Sequence, residues 1–142
     1  MRPVLRVMCY VKHTRCFTFS MTNQITGKIG EDLATDYLTS RGYKLIEKNY
    51  RQKWGEIDII VKSLSGILVF VEVKTLNGIP DSGLTPEDNI TAFKMRQLKK
   101  CAEFYAAKHP ELINEKSGWR IDVLAINITE DSPADIRHYE NI

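Results

Sequence analysis

Two β-rich runs joined by a four-residue turn are the feature of this sequence that most constrains its fold. Residues 67–75 (ILVFVEVKT) are dense in β-branched and aromatic residues, which favour strands, and residues 55–62 (GEIDIIVK) precede them. The intervening residues 63–66 (SLSG) are typical of a turn. The sequence therefore predicts an antiparallel hairpin, in which alternate side chains point to opposite faces.

The patterns on either side of this hairpin predict an α/β domain with a mixed central sheet flanked by helices. Residues 27–41 have apolar side chains at helical spacing, and Gly42 follows them as a common residue after a helix end. Further elements are predicted as follows: a strand at residues 43–50, a helix capped by Thr85 and ending near residue 108, a strand at residues 119–128, and a short edge strand at the end. We expect a single domain over residues 23–142.

The hairpin carries the residues that suggest chemistry. In residues 55–62 we expect Ile57, Ile59 and Val61 on one face, with Asp58 on the other. One register places Asp58 opposite Glu72, with Cβ atoms about 5 Å apart. Two carboxylates at that distance repel each other, and a divalent cation between them offsets the repulsion.

Lys74 lies two residues beyond Glu72 and therefore on the same face. A lysine there can polarise a water molecule or stabilise the charge that develops on a phosphate under attack. The alternative is that Asp58 and Glu72 are solvent-facing residues paired with lysines. Neighbouring Leu68, Phe70 and Ile60 make this face partly apolar, which weighs against that alternative.

Other side chains could complete the site. Glu31 falls at the border of the apolar stripe of the first helix, where a carboxylate needs a partner. Lys94 and Gln97 fall inside the apolar stripe of the second helix. Either Lys94 runs its stem along the core to water, or both side chains reach the site and contact phosphate. Arg51 and Lys53 belong to a local basic cluster that could contact nucleic acid or be ordinary solvated charge.

The first 22 residues differ from the rest. Residues 1–20 contain four basic and no acidic side chains, whereas the remaining residues carry two more acidic than basic ones. We interpret residues 1–22 as a disordered basic extension or a gene-model extension before Met21; a transit peptide or DNA-binding arm are the alternatives. No apolar run reaches the roughly 18 residues of a membrane span. Three cysteines without CxxC spacing indicate reduced thiols in a cytoplasmic protein.

Together, these segments resemble the YraN-like family of predicted endonucleases, which is related to Holliday-junction resolvases. The resemblance rests on the following motifs: G-x-x-G-E at Gly27, Gly30 and Glu31; GEIDII at residues 55–60; VFVEVK at residues 69–74; Lys94; and RIDV at residues 120–123. It implies a PD-(D/E)xK, restriction-endonuclease-like fold with an αβββαβ core. Thr75 departs from the pattern, because relatives often carry an arginine after EVK.

The resemblance also implies roles for four residues: Asp58 and Glu72 as metal ligands, Glu31 as the helix carboxylate near the metal, and Lys74 as the catalytic lysine. The expected function is hydrolysis of DNA by a Mg²⁺- or Mn²⁺-dependent nuclease, on branched or damaged structures. The alternatives are a non-catalytic module that binds nucleic acid or a partner, and hydrolysis of a small phosphate-containing substrate. A homodimer is compatible with the sequence.

Overall fold

The computed structural model describes residues 5–9, 23–77, 90–129 and 132–142. The elements in chain order are β1 (Leu5–Cys9), α1 (Asn23–Ser40), β2 (Lys44–Gln52), β3 (Gly55–Lys62), β4 (Leu68–Asn77), α2 (Ala92–Lys108), β5 (Trp119–Ile128) and β6 (Ala134–Tyr139). A short 3-10 turn follows α2 at Pro110–Leu112. The succession from α1 to β5 is the αβββαβ order of a restriction-endonuclease-like core, which confirms the predicted fold class.

The six described strands form one mixed sheet in the order β1-β6-β5-β4-β3-β2. Strands β4 and β5 are parallel, and every other neighbouring pair is antiparallel. A parallel pair needs a long crossover connection, and α2 lies in the connection between β4 and β5. The hairpin of β3 and β4 therefore lies inside the sheet, directly beside the crossover.

A helix covers each face of the sheet, because alternate strand residues are apolar on both sides. On one face α1 contributes three residues to a cluster of buried side chains, Ala34, Tyr37 and Leu38. The strands contribute the others: Ile59, Val61, Val69, Val71, Leu124, Ile126, Ala134 and Ile136. On the other face α2 contributes to a second cluster: Ile57, Ile60, Leu68, Phe70, Leu98, Cys101, Ala102, Tyr105 and Ile121. This three-layer arrangement leaves the end of the hairpin open between the helices.

The start of α2 differs from the prediction. The helix begins at Ala92, and the Thr91 side chain accepts a hydrogen bond from the Lys94 backbone N–H at 3.1 Å. The predicted helix start near Thr85 is therefore wrong, because Thr91 provides the N-cap. Thr85 itself lies outside the described residues. The end of α1 follows the prediction, with Gly42 at a φ of 83°.

The N-terminal segment contributes a strand that the sequence did not predict. In β1, Val7 pairs with Ile136 of β6. The open edge of β6 offers unpaired backbone groups, which explains why another strand adds there. Consequently β6 lies inside the sheet rather than at its edge. The interpretation of residues 10–22 falls outside the described residues.

Among the described residues, none of the helices combines the length and the apolar character that crossing a bilayer requires.

Candidate active site

The cleft begins where β3 and β4 separate. Ile59 pairs with Val71, and Ile60 pairs with Phe70, which is the register predicted from the sequence. The next contact is of a different kind, because Asp58 Oδ2 accepts the Val73 N–H at 2.7 Å. A carboxylate here takes the place of a backbone acceptor, and the two strands diverge into a cleft.

A distortion in β2 accompanies this divergence. Asn49 lies opposite Asp58 in the ladder and has a φ of 55°, in the left-handed region. Ile57 packs in the cluster on the α2 side, so the prediction that it shares a face with Ile59 is wrong. Strict alternation therefore fails between Ile57 and Ile59, at Asp58, where the side chain and not the backbone accepts the Val73 N–H.

The four predicted catalytic residues line this one cleft. Its volume is about 470 Å³, and it lies between α1, the ends of β3 and β4, and α2. The residues lining it are Thr26, Gly27, Glu31, Glu56, Asp58, Glu72, Val73, Lys74, Thr75, Leu76 and Lys94. Glu72 is only 2% exposed, so the alternative of a solvent-facing carboxylate does not describe it.

One carboxylate oxygen of Glu72 contacts two lysines, and the other has no partner among the described residues. Lys74 Nζ lies 3.0 Å and Lys94 Nζ lies 3.4 Å from Glu72 Oε1. The other oxygen, Oε2, is buried and has no hydrogen-bond partner within the described part of the chain. A buried carboxylate oxygen without a partner destabilises a fold, because it loses its contacts with water. This atom is therefore open to a ligand that brings positive charge.

The Asp58 carboxyl group has a raised pKa, chiefly because it is buried and secondly because Glu72 lies nearby. Its pKa is raised from 3.8 to about 7, first by burial and then by repulsion from Glu72, with a smaller contribution from Glu31. The Val73 N–H and the charge of Lys94 oppose this rise, but do not cancel it. The folded protein therefore holds a proton on Asp58 that an exposed aspartate would release well below neutral pH.

Glu31 reaches the cleft because α1 lies very close to β4. A Cβ atom placed on Gly30 would overlap the Thr75 side chain, so the glycine permits this approach. Glu31 is half-buried, and its Oε2 accepts a hydrogen bond from Asn49 Nδ2 at 3.1 Å. The sequence predicted that the Glu31 carboxylate needs a partner, and in the structure this partner is Asn49.

A smaller cleft of about 240 Å³ adjoins the first and shares Lys94 and Glu56 with it. Three of the predicted nucleic-acid contacts, Arg51, Lys94 and Gln97, line this second cleft. Lys53 lies exposed in the turn between β2 and β3 and lines neither cleft, so the structure does not bring it to the site.

A second group of side chains was not predicted. The ligand atoms of Asp122, His138 and Glu140 all lie within 4.8 Å of one another, so these residues could hold a metal ion. Among the described residues, Glu31, Asp58 and Glu72 do not form such a set. The signal in the sequence was Asp122, an acidic residue between the apolar Ile121 and Val123 of a predicted strand.

The second group already contains its own positive charge. Asp122 Oδ1 accepts hydrogen bonds from Arg120 Nε and from the Asn141 N–H, both at 2.9 Å. Its Oδ2 lies 3.1 Å from Arg120 Nη2 and 2.8 Å from His138 Nε2. Arg120 Nη2 also lies 3.3 Å from Glu140. Both oxygens of Asp122 therefore have partners from within the chain.

Comparisons with known proteins agree with these motifs. Residues 30–126 match the model of the uncharacterised protein family UPF0102. A UPF0102 protein of Trichlorobacter lovleyi is 37% identical over 84% of this chain and 90% of its own length. One from Thermodesulfovibrio yellowstonii is 40% identical over 81% and 92%, respectively.

Among solved structures, Pyrococcus furiosus SfsA in complex with Ca²⁺ matches 82% of this chain and 63% of that chain, at 18% identity and a TM-score of 0.34. This TM-score is too low to support a statement about the fold. The family match and the relatives show that the chain belongs to UPF0102, the YraN-like family that its motifs resemble.

Proposed function

We propose that this protein is a divalent-metal-dependent nuclease that hydrolyses phosphodiester bonds in DNA. The observation that carries the proposal is Glu72 Oε2, a buried carboxylate oxygen without a partner among the described residues, in a cleft with Asp58 and Glu31. Carboxylate oxygens are the ligands that Mg²⁺ and Mn²⁺ prefer. The pKa of Asp58 is consistent with this proposal, since burial raises it first and repulsion from Glu72 raises it further, and a bound cation would offset both effects.

Asp58 and Glu72 would hold the cation, with Glu31 beside them. When bound, Mg²⁺ or Mn²⁺ would polarise a phosphate oxygen and lower the pKa of a water molecule. Lys74 is 34% exposed and contacts Glu72, so its ammonium group lies between a ligand carboxylate and the open cleft. We assign it to the charge that develops on the phosphate in the transition state.

The adjoining cleft supports a polymeric substrate over a small phosphate compound. Lys94 lines both clefts and therefore could contact a phosphate next to the one under attack. Gln97 and Arg51 extend this polar path, and the exposed Lys53 would add electrostatic attraction from outside it. We also propose that the protein prefers branched or damaged DNA. A cytoplasmic location, which we propose as well, would give access to such DNA.

One observation favours a second candidate, a module that binds nucleic acid without cleaving it. The three carboxylates of the cleft do not converge within the 4.8 Å that the Asp122 group achieves. In such a module, the lysines would neutralise Glu72 and contact phosphate without turnover.

An assay of cleavage separates the two candidates. Labelled duplex, single-stranded and four-way-junction DNA would be incubated with the protein in Mg²⁺, in Mn²⁺ and in EDTA. We expect cleavage that requires metal and disappears in Glu72→Gln. Glu103→Gln, which removes the charge of an exposed glutamate on α2, is the matched control and should cleave normally. Binding of DNA by the wild-type protein, without cleavage of any substrate, would support the module instead.

A further inference from the structure

Two glycines lie inside α1, and only one of them is explained by the packing of the chain. Glycine in a helix interior costs about 1 kcal/mol relative to alanine, so Gly27 and Gly30 each need a physical reason. Gly30 has one, because a side chain there would overlap Thr75 of β4.

Gly27 has no such reason within the described part of the chain. An added Cβ atom would meet no atom there within 4 Å. Gly27 is also absent from the described glycines with positive φ, which are Gly42, Gly66 and Gly118. Among the residues that the structure describes, neither packing nor backbone conformation requires a glycine at position 27, and we expect alanine to stabilise the helix.

The position of Gly27 suggests what uses the open space. Gly27 lines the cleft one helical turn before Glu31, and residues four apart share a helix face. Gly27 on α1 and Lys94 on α2 both line the cleft that holds Glu72, so a ligand that extends from Glu72 along the α1 wall can lie against Gly27. The cleft of about 470 Å³ exceeds what a cation and its first waters fill, since a water molecule takes about 30 Å³.

We propose that Gly27 is a substrate-contact position, at which the sugar-phosphate backbone of DNA lies directly against α1. This inference rests on the proposed nuclease function and adds the route of the substrate strand. A glycine lets a ligand approach the helix backbone more closely than any side chain allows. Because Gly27 has no side chain, the DNA strand would be able to lie directly against α1 where it enters the cleft.

The test compares stability with DNA binding in a Lys74→Ala parent, in which cleavage is blocked. We expect Gly27→Ala to raise the Tm by about 3 °C and to raise the Kd for a duplex oligonucleotide about tenfold. Gly27→Leu should weaken DNA binding further, and both variants should bind Mn²⁺ as the parent does. Thr39→Ala, at an exposed position of α1 outside the cleft, is the control; it should leave the Kd unchanged.

Three results would overturn the inference in distinguishable ways. An unchanged Kd in both Gly27 variants would remove the contact and leave the nuclease proposal standing. A lower Tm for Gly27→Ala would show that the chain itself needs the space. A parent that binds neither Mn²⁺ nor DNA would remove the proposed function, and the substrate contact with it.

Discussion

Two buried carboxylates on neighbouring parallel strands differ in how completely their oxygens are hydrogen-bonded. Asp122 on β5 is fully buried, and Glu72 on β4 is 2% exposed. Asp122 has partners on both oxygens, including a guanidinium group from Arg120. Glu72 has two lysines on one oxygen and no described partner on the other.

The difference indicates which group serves the fold and which serves a ligand. A buried charge stabilises a fold only when its hydrogen bonds are complete. The Asp122 group meets this condition from within the chain, so a metal ion would have to compete with Arg120. The cleft at Glu72 does not meet it, and Asp58 beside it holds a proton up to about pH 7. We therefore expect the proposed cation to bind in the cleft.

The largest effect that would sharpen this comparison is on stability. Arg120→Ala should lower the free energy of unfolding by about 3–5 kcal/mol, because it removes the guanidinium group that pairs with both oxygens of the buried Asp122. Glu72→Gln in metal-free buffer should cost far less, or should stabilise, because it relieves repulsion with Asp58. Urea unfolding of both variants measures the contrast. Equal losses would mean that the two groups have the same structural role.

The next effect is on catalysis. Lys74→Ala should slow DNA cleavage by about 10²–10³-fold, because it removes a positive charge from the site of reaction. Affinity for Mn²⁺ should persist, since Asp58 and Glu72 remain. Lys116→Ala, at an exposed position far along the chain, is the control for loss of a positive charge. Undiminished cleavage in Lys74→Ala would exclude the catalytic role.

A smaller effect follows from the pKa of Asp58. Because the folded state raises this pKa from 3.8 to about 7, the folded protein binds more protons than the unfolded chain between these values. Its stability in metal-free buffer should therefore fall as the pH rises from 4 to 7. Asp58→Asn should remove this part of the change in stability, which amounts to about 3 kcal/mol between pH 4 and pH 7. The measurement is urea unfolding at pH 4 and pH 7; parallel curves for the two proteins would contradict the assignment.

The sequence predicted the site best where its signals are local. The two-residue period of a strand placed Glu72 and Lys74 on one face, and the register of the hairpin was correct. The same rule failed for Ile57, which packs on the opposite face from Ile59, because local alternation carries no sign of the break at Asp58. Thr91 caps α2 through a hydroxyl group that Thr85 also has, so residue type alone could not separate the two.

Contacts between distant segments could not be predicted in this way. Arg120 contacts the hydroxyl of Tyr43, which lies 77 residues earlier, between α1 and β2. His138 of β6 contacts Asp122 through the pairing of β5 with β6. Only the finished sheet brings these groups together.

We expect the divalent cation to bind at Glu72 and not at the group of Asp122, His138 and Glu140. Calorimetric titration of Mn²⁺ into the wild-type protein, Glu72→Gln and Glu140→Gln tests it directly. We predict that the wild-type protein and Glu140→Gln bind Mn²⁺ alike, and that Glu72→Gln binds at least about tenfold more weakly. Loss of binding in Glu140→Gln with retention in Glu72→Gln, or no binding by the wild-type protein, would contradict the account.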